Sequence, residues 1–290
     1  MTTITKPGLY QMGEDEYHAD PVPDWSLSAS GAKLLLDPYC PAHYLADRLT
    51  PRTPTKALER GRAAHDMVLG TGAGVATIPA ELLSADGGVR TNEAKAARDE
   101  LVAQGLTVVK ADELAAIQAM ADKLRAHPIA SLAFDPERGK PEQSLFWRDE
   151  QHGIWRRARL DWLPDPNSGR LIIADYKTAR SAHPATWLRD AAKLGCHMQD
   201  SNYRAGVANV LGLGPRDVAF VFVVQEKEPP YEVTVIELDG EARAIGDHLM
   251  DEASAVFAEC RANDRWPGYA DEVVQGALPY YYTRDFEGIF

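Results

Sequence analysis

Apolar residues first recur with a period at Leu27, where LSASGAKLLLDPYCPAHYLADRL turns Leu34 and Leu35 towards a core behind a capping Ser28 or Ser30. Pro38 stops that helix. Ahead of it, residues 1–26 mix Pro, Gly and acidic residues without a period, which predicts an irregular arm. TKALERGRAAHDMVL, over 55–69, returns apolar groups at helical spacing until Gly70, Gly72 and Gly74 end it. Residues 92–127 predict two further helices around a short strand-like segment, Leu106–Val109. From Glu142 the period shortens to two: SLFWRD, a turn at Gly153, then IWRRARLDWL, the pattern of a β-hairpin. Asp165–Gly169 reads as a turn, and Arg170–Tyr176 as a short apolar run suited to a buried central strand. A helix is expected over 184–211, closed by Gly212 and Gly214, then strands over 217–225 and 231–238 and an amphipathic helix from about 240 to 261. Helices, three strands, a helix, two strands and a last helix make an α/β chain with a mostly helical N-terminal portion.

Composition leaves that picture intact. Of 290 residues, 45% are hydrophobic and 26% charged, an ordinary globular balance. No run of 18 apolar residues occurs, so no membrane-spanning helix is expected. MTTITKPGLY lacks the charged-then-apolar pattern of a secretory signal, and a cytoplasmic location is expected. The three cysteines, Cys40, Cys196 and Cys260, are scattered and odd in number, which argues against disulfides, zinc and an iron–sulfur cluster. A net charge of −12 disfavours nucleic acid only until the bases are located, because a site needs local rather than global charge. Bases gather at Lys56, Arg60 and Arg62 and again at Arg156, Arg157 and Arg159.

The chemistry concentrates around the predicted hairpin. Asp161 stands near the end of one strand; Asp175 and Lys177, two apart at the end of the next, project to one face. Carboxylates converging there repel unless a cation neutralises them, and oxygen ligands plus water suit Mg²⁺. Such a cation polarises a phosphoryl oxygen and acidifies a bound water, while Lys177 stabilises developing charge. Glu142 opens the hairpin within reach of the same place. Gln199 and Tyr203, spaced i, i+4 on the following helix, can hydrogen-bond a phosphate or a water. Arg157 and Arg159 alternate with Asp161, which predicts a phosphate-binding face, with Arg60 and Arg62 weaker phosphate candidates. Each of these residues, His65 included, has an ordinary structural explanation when taken singly.

Taken in order, His65, Glu142, Asp161, Asp175–Tyr176–Lys177 and Gln199–x₃–Tyr203 resemble the pattern of RecE-type exonucleases (exonuclease VIII), a branch of the PD-(D/E)XK superfamily. LSASGAKLLL, GRAAHDMVLG, RARLDWL, IIADYKTA and WPGY are similar to that family's text across roughly 27–270. Leu160 stands where the superfamily name has Pro, and Asp200 and Asn202 are more polar than the pattern suggests.

The resemblance implies an α+β fold of the restriction-endonuclease-like kind, a central mixed sheet flanked by helices around an αβββαβ core. One exonuclease domain would span 27–270 with a helical insertion at about 70–140, and 271–290 would be a tail. It implies a metal, Mg²⁺ with Mn²⁺ as substitute, held by His65, Asp161, Asp175 and the Tyr176 carbonyl. Lys177 would be the catalytic lysine, with Glu142, Gln199 and Tyr203 in support. Implied too are 5′-to-3′ digestion of double-stranded DNA ends, a single-strand annealing protein as partner, and a homo-oligomer. The competing expectation is a catalytically silent nuclease-fold protein that binds DNA or a recombination partner.

Overall fold

The predicted hairpin is the spine of the sheet. The computed structural model describes residues 3–50, 56–70, 74–84, 87–166 and 169–286, with side chains in the helix over 56–69 described from Ala63 onward. The N-terminal part carries β1 (Gly8–Tyr10), α1 (Glu14–His18), β2 (Ser26–Leu27), α2 (Ala29–Lys33), α3 (Pro41–Leu49) and α4 (Lys56–Leu69). Then follow β3 (Val75–Thr77), α5 (Asn92–Ala103), β4 (Thr107–Val109), α6 (Ala111–Ala126) and α7 (Ala130–Ala133). The central elements are β5 (Gly139–Asp149), β6 (Ile154–Pro164), β7 (Leu171–Ala179), α8 (Pro184–Leu194), α9 (Cys196–Leu211), β8 (Val218–Glu226) and β9 (Val233–Ile236). Last come α10 (Gly240–Asn263) and α11 (Tyr280–Thr283).

The main sheet is seven-stranded in the order β1-β5-β6-β7-β8-β9, with β2 paired to β6. It is mixed: β7 and β8 run parallel across the α8–α9 crossover, and β5, β6 and β7 are antiparallel. β3 and β4, which lie between α4 and α6 in the chain, form a separate parallel pair. One face of the sheet buries Leu145, Leu160, Ile173, Phe220 and Phe222 beneath α8 and α9. The other buries Trp162, Ala174, Tyr176 and Val223 beneath α4, α6 and α7. A third cluster joins α2, α3 and α10, where Trp266 of the WPGY segment stacks on Tyr44 at 5.2 Å.

The structure corrects the sequence reading at three places. The segment expected to be an irregular arm is, from residue 3 to 26, ordered against the sheet: β1 pairs with β5, and Ile4 and Tyr17 bury against Phe146 and Trp155. The expected helix over 184–211 is two helices, broken at Gly195, whose φ of 77° is the left-handed conformation that ends α8. The first hairpin strand starts at Gly139 rather than at Glu142. Ser28, of the two capping alternatives, is the cap: its Oγ accepts the Gly31 N–H at 3.2 Å. Gly72, together with Asn167 and Ser168 of the expected turn, lies outside the described residues. Beyond residue 270, Val273, Val274, Leu278 and Tyr280 are exposed. Among the described residues no helix is long and apolar enough to cross a membrane.

Candidate metal centre

The centre forms where the alternation of β6 breaks. Leu160 packs beneath α8 and α9, yet Trp162, two residues on, packs on the opposite face of the sheet. Between them lies Asp161, opposite Glu142, flanked by the pairs Gln143↔Leu160 and Pro141↔Trp162. Glu142 has φ 50°, a left-handed conformation uncommon away from glycine and typical of places where geometry serves a function. The β6–β7 ladder shrinks to Trp162↔Ala174. The Tyr176 N–H therefore finds its acceptor in a side chain, Asp161 Oδ2, at 2.7 Å.

Three further elements aim side chains at this gap. α4 supplies His65, whose Nε2 lies 3.0 Å from Asp161 Oδ2 and whose Nδ1 lies 3.9 Å from Glu142 Oε1. β7 supplies Asp175 and Lys177 on one face, with Lys177 Nζ 2.6 Å from Asp175 Oδ2. α9 supplies Gln199, which donates from Nε2 to Asp175 Oδ1 at 2.6 Å. Tyr203 stands beside Gln199 one turn on, its ring edge-on to Phe220 at 5.6 Å.

Electrostatics show acids held against one another. Burial drives the Asp175 carboxyl up, and the neighbouring Asp161 charge drives it further, to about 6, against the pull of Lys177. Burial also pushes Asp161 up, but His65, then Lys177 and the Tyr176 N–H, take it below the usual carboxylate value. Burial alone would depress His65; the carboxylates of Asp161, Asp175 and Glu142 instead raise it to about 9. A proton on His65 thus joins Lys177 and Arg159 in balancing the acids.

The residues present fit a divalent cation. Asp175 Oδ2 is buried and accepts no aligned hydrogen bond, although the Lys177 ammonium lies close to it. Ligand atoms of His65, Asp66 and Glu142 come within 4.8 Å of one another. Carboxylate oxygens suit a hard divalent cation, and a neutral imidazole beside them is a common further ligand.

Most residues picked from the sequence therefore converge: His65, Glu142, Asp161, Asp175, Lys177 and Gln199, with Tyr203 alongside. Tyr176 enters through its N–H, and its ring is anchored by its hydroxyl donating to Gln225 Oε1 at 2.6 Å. The expected phosphate contacts differ. Arg157 is 7% exposed, with Nη1 on Asp20 at 2.6 Å and Ser26 Oγ at 3.0 Å and Nε buried without a partner, so burial keeps it from a phosphate. Arg159 is bound to Glu142 at 2.7 Å. The side chains of Arg62, Lys56 and Arg60 lie outside the described residues. The two polar surprises in α9 are explained by packing: Asn202 Oδ1 accepts from Arg156, and Asp200 pairs with Arg204. Asp66 escaped the sequence reading, because consecutive helix residues point about 100° apart. Its only signal was adjacency to His65, and Thr107 of β4 donates to it at 3.3 Å.

Two clefts, of about 240 Å³ beside Lys6 and Met12 and about 290 Å³ beside His152 and Asp251, lie apart from these carboxylates. Comparison with known proteins finds the same architecture. The "Putative exonuclease" of Eubacterium rectale superimposes with a TM-score of 0.59 at 12% identity, covering 96% of this chain and 99% of that one. At that identity the likeness is one of fold. No curated protein sequence matches. The family described as a PDDEXK-like domain of unknown function (DUF3799) matches residues 28–275, from the Ser28 cap through the metal centre to the end of α10 and beyond. The chain belongs to that family, and with it to the PD-(D/E)XK nuclease superfamily.

Proposed function

We propose that this protein is a metal-dependent exodeoxyribonuclease that hydrolyses phosphodiester bonds at the ends of linear double-stranded DNA, in the 5′-to-3′ direction. The observation that carries the reading is the meeting of Asp161, Asp175 and His65 with Lys177 2.6 Å from Asp175, in the order and on the elements that a D-x-K nuclease site requires. Asp161, Asp175, His65 and the Tyr176 carbonyl would hold Mg²⁺, or Mn²⁺ in its place, with Glu142 and Asp66 next to them. When bound, the cation supplies a polarised phosphoryl oxygen and an acidified water. Lys177, a third exposed, offers its ammonium to the charge that grows on the phosphorus oxygens. Gln199 fixes the rotamer of Asp175, so that its second oxygen faces the gap. Tyr176 and Asp161 are held to each other by the 2.7 Å hydrogen bond, which keeps the two strand ends in register. The biological setting we infer is recombination in a bacterial cytoplasm, with the single strand left by digestion passed to an annealing protein and the nuclease acting as an oligomer.

The test is digestion of linear duplex DNA labelled separately at its 5′ and 3′ ends, with Mg²⁺, with Mn²⁺ and with EDTA. Early release of the 5′ label with either metal, its loss in EDTA and the survival of covalently closed circles are expected. Binding without hydrolysis under every metal condition would establish the catalytically silent alternative instead.

A further inference from the structure

Of the side chains around the centre, Arg159 does what the sequence pattern did not suggest. We propose that it is the positioning residue of Glu142: it fixes that carboxylate against His65 and locks the N-terminal arm to the metal centre. The proposal rests on the metal-centre reading above and assigns no chemistry to Arg159 itself.

Three acceptors occupy its guanidinium. Nη2 donates to Glu142 Oε2 at 2.7 Å, and Nη1 donates to the Met12 carbonyl at 2.9 Å and to Ser144 Oγ at 3.2 Å. The side chain is 15% exposed, so little of its charge faces water. Glu142 needs such a hold. Its backbone is left-handed, its side chain is 29% exposed, and its other oxygen, Oε1, is the one 3.9 Å from His65 Nδ1. A freely rotating glutamate there would spend side-chain entropy each time it met a cation; a partner that is itself held by two further acceptors spends it once, on folding. A lysine presents a point charge, whereas the planar fork of arginine serves a carboxylate and a carbonyl together.

The Met12 contact makes the device reach beyond the centre. Met12 lies just after β1, in the arm that pairs with β5, where Tyr10 stands opposite Ser144. The neighbouring Gln143 repeats the link, its Nε2 donating to Gln11 Oε1 at 2.7 Å. Arm, β5 and β6 are thus stapled at the residues flanking Glu142.

The experiment is a double-mutant cycle on the full chain. Arg159→Gln, Arg159→Lys, Glu142→Gln and the double variant E142Q/R159Q are compared by calorimetric titration with Mn²⁺ and by kcat and KM on duplex DNA, with melting temperatures as the folding control. Arg159→Gln is expected to weaken Mn²⁺ binding about 10–100-fold and to lower kcat rather than raise KM, with Arg159→Lys recovering part of both. In the Glu142→Gln background the same change should add nothing, because the residue acts through that carboxylate. If Arg159→Gln does not fold, the cycle is run with Arg159→Lys. Wild-type Mn²⁺ affinity in the Arg159 variant, with a raised KM and a flatter salt dependence, would make Arg159 a phosphate contact and overturn the proposal. So would additive losses in the cycle. A wild-type chain that binds Mn²⁺ but cuts no DNA would sink the nuclease reading alone, since the Mn²⁺ cycle still decides the role of Arg159. A wild-type chain that binds no Mn²⁺ would overturn both.

Discussion

Arg157 and Arg159 sit two positions apart on β6 and share a strand face by alternation, yet they belong to ionic clusters of opposite design. Around Arg157 the cations outnumber the acid. Asp20, 6% exposed, receives Arg157 at 2.6 Å, Arg48 at 2.8 Å and the Ser26 N–H at 2.9 Å, and the guanidinium lies over the Tyr17 ring at 5.3 Å. Around Arg159 the acids crowd: Glu142, Asp161 and Asp175 gather with Asp66 nearby, and even with Arg159, Lys177 and His65 set against them Asp175 is driven up to about 6. A buried pair is kept in its charged state only by good geometry and further hydrogen bonds. In the first cluster the acid meets that condition, since Asp20 holds two guanidinium groups and the Ser26 N–H; Arg157 Nε stays buried without a partner, and the cluster ties the arm to the sheet. In the second the acid Asp175 does not meet it: its Oδ2 accepts no aligned hydrogen bond and its carboxyl is pushed up, as at a place suited to another cation.

The sharpest way to break this contrast is to remove charge from the second cluster. Asp175→Asn and Lys177→Ala should each lower DNA hydrolysis by about 10²–10⁴, the usual loss for a group acting on the reacting atoms. Asp175→Asn should leave the melting temperature of the metal-free protein unchanged or raise it, because it relieves the repulsion from Asp161. Cleavage assays and calorimetric melting in EDTA decide it. A clear fall in melting temperature would mean that the second cluster, like the first, exists to hold the fold.

The converse change belongs to the first cluster. Arg157→Met keeps an apolar stem over Tyr17 and removes the charge, leaving Asp20 with Arg48 alone. Breaking a buried ion pair costs about 3–5 kcal/mol, and the low end applies because one cation remains. About 3 kcal/mol corresponds to a fall in Tm of roughly 6–12 °C for a chain of this size. Chemical denaturation and cleavage at a permissive temperature separate the effects. Activity lost at full stability would return Arg157 to the DNA-contacting role that alternation suggests.

That contrast also marks how far the sequence could be read. The period-two pattern of SLFWRD and IWRRARLDWL placed the hairpin, and D-x-K spacing put Asp175 and Lys177 on one face, because strand geometry alone fixes both. Gln199 was found by the same logic on a helix. The fate of Arg157 was illegible, since its partner Asp20 lies in a segment with no period and meets it only when β2 lays Ser26 beside Trp155. The arm was misread for the same reason: pairing Gly8 with Phe146 is a contact across half the chain. Gly195 gave a visible clue to the break between α8 and α9, but the apolar spacing on either side ran through it. The part played by Asp66 depends on how α4 approaches β5, and the tethering of Glu142 by Arg159 on the register of β5 against β6 and the left-handed backbone at Glu142, which no local pattern encodes.

A finer test of the second cluster uses pH, because its protons occupy the place of the cation. His65 is held at about 9 in the fold against an ordinary 6.5, so its raised value gives stability that is fully present below about pH 6.5 and lost as pH rises through 9. Asp175 at about 6, against 3.8, acts with the same sign in a lower window: its protonated form favours the fold at acid pH, and that contribution is gone above pH 6. Metal binding runs the other way, since a ligating imidazole and carboxylate must both be deprotonated. Between about pH 7 and 8.5 one proton leaves His65 for each cation bound, and Mn²⁺ affinity should rise about tenfold per pH unit. In His65→Ala that slope should vanish, leaving only the step that belongs to Asp175, moved upward because the His65 charge no longer pulls it down. Calorimetric titrations in buffers of different ionisation enthalpy count the proton directly. A wild-type affinity that stays flat from pH 7 to 8.5 would show that His65 does not yield its proton to the metal. The second cluster would then be charge-balanced in its own right, and the distinction between the two arginines would rest on burial alone.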